Sequence, residues 1–174
     1  MIIPKHPTDD DELLRLSAAN PGWHIEREPD GSLSVSPTSF QNAVRALEAA
    51  RQLLAWGSER GLTAGADGGV TLPDAAVRAP DASWISFDRW YALSDQQREK
   101  FAEAVPDVVV EIVSPCDSYA TQRRKTEQYV ELGAQYAVVI DPRTRRVEAF
   151  GTPPHGLVLD TDRIIDIASA GRNA

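Results

Sequence analysis

The chain has 174 residues, 42% of them apolar and 25% charged, and carries a formal net charge of −8. These values suit one domain spanning residues 1–174 and exclude a disordered chain. No apolar run approaches the ~20 residues of a membrane helix, and the acidic balance argues against avid, sequence-blind binding to nucleic acid, which needs a basic footprint.

Asp9-Asp10-Asp11-Glu12 predicts a helix within residues 1–20, because acids complement the dipole at a helix start, and Asn20-Pro21-Gly22 stops it. His24 to Glu28 and Ser32 to Ser36 alternate polar with apolar around Pro29-Asp30-Gly31, the pattern of a hairpin. Pro37-Thr38-Ser39 opens a long helix to about Arg60, with Phe40, Val44, Leu47, Leu54 and neighbouring alanines as its apolar stripe and Gly61 as its stop. Strands are predicted near Ala64 to Leu72 and Ala76 to Ser86, with turn signals at Asp67-Gly68-Gly69 and Pro73-Asp74. Ser94-Asp95-Gln96-Gln97 matches a capping box, so a helix is predicted from there towards Ala104. Trp84, Phe87, Trp90 and Tyr91 just before it are expected in the core.

Asp107 to Val113 is nearly continuously apolar, as in a central strand covered on both faces. Asp117 or Ser118 caps the next helix, which ends at Gly133. Tyr136 to Ile140 is a second central strand, and Asp141-Pro142-Arg143-Thr144 turns it into Arg146 to Phe150. Ser169 to Ala174 reads as a loose tail. The order implies an α/β fold: a mixed central sheet flanked by helices, with an N-terminal helix and hairpin.

Met1 to Asp11 is polar and acidic, unlike a secretory leader. Cys116 is the single cysteine; it forms no intrachain disulfide, in keeping with a cytoplasmic setting. No histidine stands near it in sequence to make it a nucleophile. His6, His24 and His155 have no zinc-ligand spacing. Arg123-Arg124-Lys125 and Arg143 with Arg145-Arg146 form two local basic clusters, either solvated faces or contacts for an anion.

Glu111 interrupts the apolar strand. A carboxylate there is costly unless a buried Arg or Lys pairs with it, or a cation does. Asp81, after Ala79-Pro80, begins another strand; Pro-Asp is a common turn pair, but two carboxylates from neighbouring strands make a hard-oxygen site suited to Mg²⁺ or Mn²⁺. Gln122, Lys125, Tyr129 and Leu132 recur at three, four and three residues, so they share one helix face, and Lys125 points inward unless its amine snorkels to water. Two carboxylates, an ammonium and a hard cation can hydrolyse a phosphodiester. Asp107 shares a strand face with Val109, Glu111 and Val113, as an additional ligand or a strand cap. Ser114 and Asp117 stand where they can line a site mouth or serve the turn and helix cap.

Pro80-Asp81-Ala82-Ser83-Trp84, Pro106-Asp107 through Glu111 to Ser114-Pro115, Lys125 with Tyr129, Ile140-Asp141-Pro142 and Arg146-Val147-Glu148 together resemble the Uma2 family of restriction-endonuclease-like proteins, in the PD-(D/E)XK nuclease superfamily. The likeness runs from about Pro21 to Phe150. It implies Asp81, Glu111 and the backbone carbonyl of Ile112 as metal ligands, and Asp81, Glu111 and Lys125 as the catalytic set of a Mg²⁺- or Mn²⁺-dependent endonuclease acting on DNA, with a homodimer suited to cutting both strands. The superfamily lysine lies two residues after the Glu; here that position is Val113, and Lys125 on the following helix takes its place. Relatives often carry Glu or His near the start of the long helix, where this chain has Gln41-Asn42, with Glu48 further along. Gln41, Glu48, Asp107, Ser114 and Tyr129 complete the candidate set. The alternative is a catalytically idle nuclease fold that binds protein or nucleic acid; the charge and the missing strand lysine point that way.

Overall fold

The computed structural model describes residues 9–37 and 39–167; the tail at Ser169 to Ala174 and His6 lie outside them. Helix α1 (Asp10–Ala19) starts at Asp9, whose carboxylate accepts the Glu12 N–H. Strands β1 (Trp23–Arg27) and β2 (Leu33–Pro37) form the predicted hairpin, with Ile25 opposite Val35 and Glu26 opposite Ser34. Helix α2 (Phe40–Gly57) is capped by Ser39.

The next stretch differs from the sequence reading. Each predicted strand is cut in two by a turn: β3 (Gly61–Gly65) and β4 (Val70–Thr71), then β5 (Val77–Arg78) and β6 (Ala82–Ser86). Helix α3 (Phe87–Ala92) follows directly. The Ser94–Gln97 capping box is present, but α4 (Asp95–Arg98) ends there instead of reaching Ala104. Of the aromatic residues, Trp84 is buried while Tyr91 is 66% exposed. The remainder follows the prediction: β7 (Val108–Ile112), α5 (Tyr119–Glu131), β8 (Tyr136–Asp141) and β9 (Arg146–Gly151), with a short helix α6 (Thr161–Asp166) added. Gly133, at φ +118°, adopts the left-handed conformation that ends α5.

Two sheets result. The main sheet has the order β3-β6-β7-β8-β9, and the smaller one β2-β1-β5-β4. β7 and β8 run parallel and the other main-sheet pairs antiparallel, which makes the mixed sheet expected. β7 is wholly buried. Its Val108, Val110 and Ile112 pack with α2 and α6, while Val109 packs with Tyr129 of α5. Each such aliphatic side chain contributes roughly 1.5–3 kcal/mol on burial.

The face that α2 turns to the sheet is Asn42, Ala46, Ala49, Leu53 and Gly57. The predicted stripe holds for its alanines and fails for its large residues: Ala46 and Ala49 are buried, whereas Phe40, Leu47 and Leu54 are 85%, 71% and 52% exposed. Small residues win because the helix lies close to the sheet, with Trp84 filling the gap and donating its indole N–H to the Gly57 carbonyl at 3.1 Å. A Cβ on Gly57 would meet that indole nitrogen at 2.4 Å. No helix among the described residues is long and apolar enough to cross a membrane.

Candidate active site

A cavity of about 770 Å³ opens between the hairpin, the end of β7 and α5. Alternation builds its walls. On the hairpin, Ile25, Leu33 and Val35 pack against α1, which leaves His24, Glu26, Ser34 and Ser36 facing the cavity. On β7, Val108, Val110 and Ile112 face α2, which turns Glu111 to the α5 side. Ala82 pairs with Val110 across β6 and β7. One further step along that antiparallel register sets Asp81 opposite Glu111, and directly opposed residues share a face. Asp81 Oδ2 also accepts the Ile112 N–H at 2.7 Å.

Lys125 reaches the same point from α5. Its Nζ lies 3.4 Å from Glu111 Oε1 and contacts both oxygens of Glu26, at 2.9 and 2.7 Å. The Tyr129 hydroxyl donates to Glu111 at 3.2 Å. Glu26 is held further by the Ala79 N–H at 2.8 Å, and Arg78 lies 3.8 Å away while binding Glu28 through both guanidinium ends. A ladder of alternating charge, buried from Arg78 onward, thus runs from the half-exposed Glu28 through Arg78, Glu26 and Lys125 to Glu111, with Asp81 beside it.

In this ladder four carboxyl groups meet two cations, which would leave an excess of two negative charges were all four ionised. The titration behaviour reflects it. Burial, then the Glu111 charge, pushes Asp81 up to about 8, against the opposing pull of the Ile112 N–H and Lys125. Glu111 is also raised, by burial first, with Lys125 opposing and Glu26 adding to it. Burial acts on Glu26 too, but Lys125, the Ala79 N–H and Arg78 outweigh it and hold that carboxyl below its ordinary range. For Lys125 burial favours the neutral amine, and the charges of Glu111 and Glu26 overcome it, so the ammonium form persists.

Asp81 and Glu111 offer hard oxygens of the kind a divalent ion takes, while the Ile112 carbonyl accepts from the Asn42 amide at 3.4 Å. Among the described residues no three His, Cys, Asp or Glu side chains form a closed metal cage. An open pair of carboxylates whose proton affinity is already raised suits Mg²⁺, which keeps water and substrate oxygens as its other ligands.

Other candidates fall elsewhere. Asp107 accepts the Ser86 N–H at 2.7 Å and pairs with Arg89 at 2.9 Å; it stands at the far end of β7, about 13 Å along the strand from Glu111. Glu48 is drawn down to about 2 by Arg51, against burial and with help from Gln52 and Arg163; it ties α2 to α6 and does not line the cavity. Gln41 is exposed and outside the cavity, and its neighbour Asn42 points in, donating to the Ile112 carbonyl at 3.4 Å. Ser114, Asp117, Cys116 and His24 line the walls. Arg123, Arg124, Arg143, Arg145 and Arg146 are each paired with a carboxylate. Glu26 and Arg78 were not foreseen from sequence; the signal for Glu26 is its place in the hairpin beside His24 and Glu28, on the polar face.

The Uma2 family model, described as "Putative restriction endonuclease", matches residues 10–164. The chain belongs to the Uma2 family. A crystal structure of "a putative nuclease belonging to DUF820 from Anabaena variabilis ATCC 29413" superposes with a TM-score of 0.67 at 18% identity, covering 93% of this chain and 99% of that one. At that identity the likeness shows the fold, which is nuclease-like. No curated protein matches the chain. In this Uma2 chain Glu111 sits on β7 and Asp81 immediately before the neighbouring β6, and the lysine comes from α5 rather than from β7.

Proposed function

We propose that the chain is a Mg²⁺- or Mn²⁺-dependent endonuclease that hydrolyses phosphodiester bonds of DNA in the cytoplasm. The observation that carries this reading is the juxtaposition of the Asp81 and Glu111 carboxyls, with the Lys125 ammonium 3.4 Å from Glu111. Asp81, Glu111 and the Ile112 carbonyl would hold the ion. When bound, it supplies Lewis acidity and a water of lowered pKa. Tyr129 fixes the orientation of Glu111. Lys125, kept protonated by its two carboxylates, would place its positive charge beside the attacking water and the charge developing on the phosphate. Two copies would present two sites for cutting both strands; light scattering at the mass of one 19.0 kDa chain would reject a dimer.

The second reading, an idle binding module, is favoured by the pairing of the clustered arginines and the net charge of −8. Calorimetry with Mn²⁺ and a cleavage assay on plasmid and single-stranded DNA separate the two. Metal-dependent cleavage by wild type that Glu111→Gln abolishes supports the nuclease. Equal cleavage by both proteins, or no heat of Mn²⁺ binding to wild type, overturns it.

A further inference from the structure

A lysine on a strand is aimed by the strand. A lysine on a helix has a long flexible stem, and something else must aim its amine. Here that partner comes from the other sheet. Glu26 offers both oxygens to Lys125 Nζ, at 2.9 and 2.7 Å, across 99 residues of sequence. The side chains are 10% and 13% exposed. Glu26 is itself held in place: one oxygen also accepts the Ala79 N–H at 2.8 Å, and the other faces Arg78 at 3.8 Å. Arg78 is itself fixed by Glu28 through two hydrogen bonds.

We infer that Glu26 is a positioning residue of the active site: it clamps the Lys125 ammonium against Glu111 and so lets a helix-borne lysine act where a strand-borne one would. This rests on the nuclease reading for its catalytic consequence, though not for the clamp itself. Glu26 is not assigned as a metal ligand, because both of its oxygens contact the Lys125 ammonium, which would repel a cation beside them. The site is then assembled only when the small sheet docks on the main one, since β1 supplies the clamp and β7 the ligand.

The chain has three lysines, Lys5, Lys100 and Lys125, so amine acylation can be followed residue by residue in the intact, metal-free protein. Lys125 should be strongly protected in wild type. In Glu26→Gln its acylation should accelerate about tenfold or more, while Lys100, 44% exposed and paired with Asp11, keeps its rate as the internal control. Glu26→Asp, which keeps the charge on a shorter arm, should fall between. In turnover, Glu26→Gln should lower kcat by about 10²-fold, the cost of a misplaced group, with KM and Mn²⁺ affinity close to wild type, and Glu26→Asp should restore part of kcat. Unchanged Lys125 acylation in both variants overturns the clamp. Loss of Mn²⁺ binding in Glu26→Gln to the degree seen in Glu111→Gln also overturns it, making Glu26 a ligand. Should Glu26→Gln not fold, Glu26→Asp decides: wild-type protection of Lys125 in that variant refutes the inference. A wild type without nuclease activity but with the expected acylation pattern refutes the nuclease reading and leaves the clamp standing.

Discussion

Replacing Lys125 by Met removes one charge from the middle of the buried ladder and keeps an unbranched stem of similar size. In wild type the ammonium lies 2.7 Å from Glu26 and 3.4 Å from Glu111. At an effective dielectric near 20, each pair is worth roughly 5–6 kcal/mol before desolvation is counted. The substitution also relieves the lysine's own burial, which offsets several kcal/mol. Because Glu111 and Glu26 are 3% and 10% exposed, solvent screens little of the remainder. The net loss should be about 3–5 kcal/mol, the range for removing one partner of a buried pair. For a chain of this length that is a fall in Tm of roughly 6–20 °C. Urea unfolding in EDTA at neutral pH, followed by tryptophan fluorescence, measures it. Adding Glu26→Gln to the variant should recover part of the loss, since the orphaned carboxylate goes with it, and Mg²⁺ should stabilise Lys125→Met more than wild type. A variant within about 1 kcal/mol of wild type would mean that the amine is solvated and pairs no buried charge, and the ladder would be refuted.

The metal-free protein should lose stability as pH rises from about 5 to about 8.5: Asp81 titrates at about 8 folded against 3.8 unfolded, so the folded state holds a proton that the unfolded chain gives up. Glu111, also raised, adds in the same direction, and Glu26, lowered, is already ionised across that window; the stabilisation by Mg²⁺ should therefore grow with pH, and thermal melts with and without metal that stay parallel would contradict this. Glu111→Gln should abolish Mn²⁺ binding while the fold survives, because a neutral amide is cheaper to bury than a carboxylate, as calorimetry and circular dichroism would record. Glu48→Ala should cost about 1.5–3 kcal/mol by breaking the bonds to Arg51, Gln52 and Arg163, yet leave Mn²⁺ affinity unchanged; a lost affinity would return Glu48 to the site.

The strand that carries Glu111 is legible in sequence because a five-residue apolar run interrupted by one carboxylate admits few readings. Lys125 is legible because helix geometry ties its direction to Tyr129 and Leu132. Glu26 is not. In an alternating hairpin, polar positions read as solvent-facing, and here that face lines a cavity in which Glu26 meets Lys125 of α5, a contact made across 99 residues. The stripe of α2 misleads for a related reason. Side-chain size marks Phe40, Leu47 and Leu54 as core, but the space above β6 is already filled by Trp84, so the helix presents alanines and Gly57. The strands around Asp67 and Pro80 fail at their turns, because the chain there crosses from one sheet to the other, and local pattern carries no record of which sheet a strand joins.

The acidic balance bears on how a nucleic acid would be held. The arginines of both basic clusters are engaged by Glu127, Glu131, Glu148, Asp141, Asp162 and Asp166. In the cavity wall Arg124, with a side chain 55% exposed, stands with neutral donors such as Ser34, Ser36, Ser118 and Gln122. Binding would then draw on few phosphate–cation contacts, with the divalent ion at Asp81 and Glu111 as the main positive charge. Counterion release predicts a slope of log Kobs against log salt of about −0.7 per phosphate neutralised on a single strand. With one to three such contacts the slope should lie near −1 to −2, far shallower than that of a protein with a basic groove. Fluorescence anisotropy of a short single-stranded oligonucleotide with Ca²⁺ in place of Mg²⁺, across a salt series, measures it. A slope near −5 would place a basic track outside this cavity and would move the nucleic-acid surface away from the Asp81–Glu111 pair.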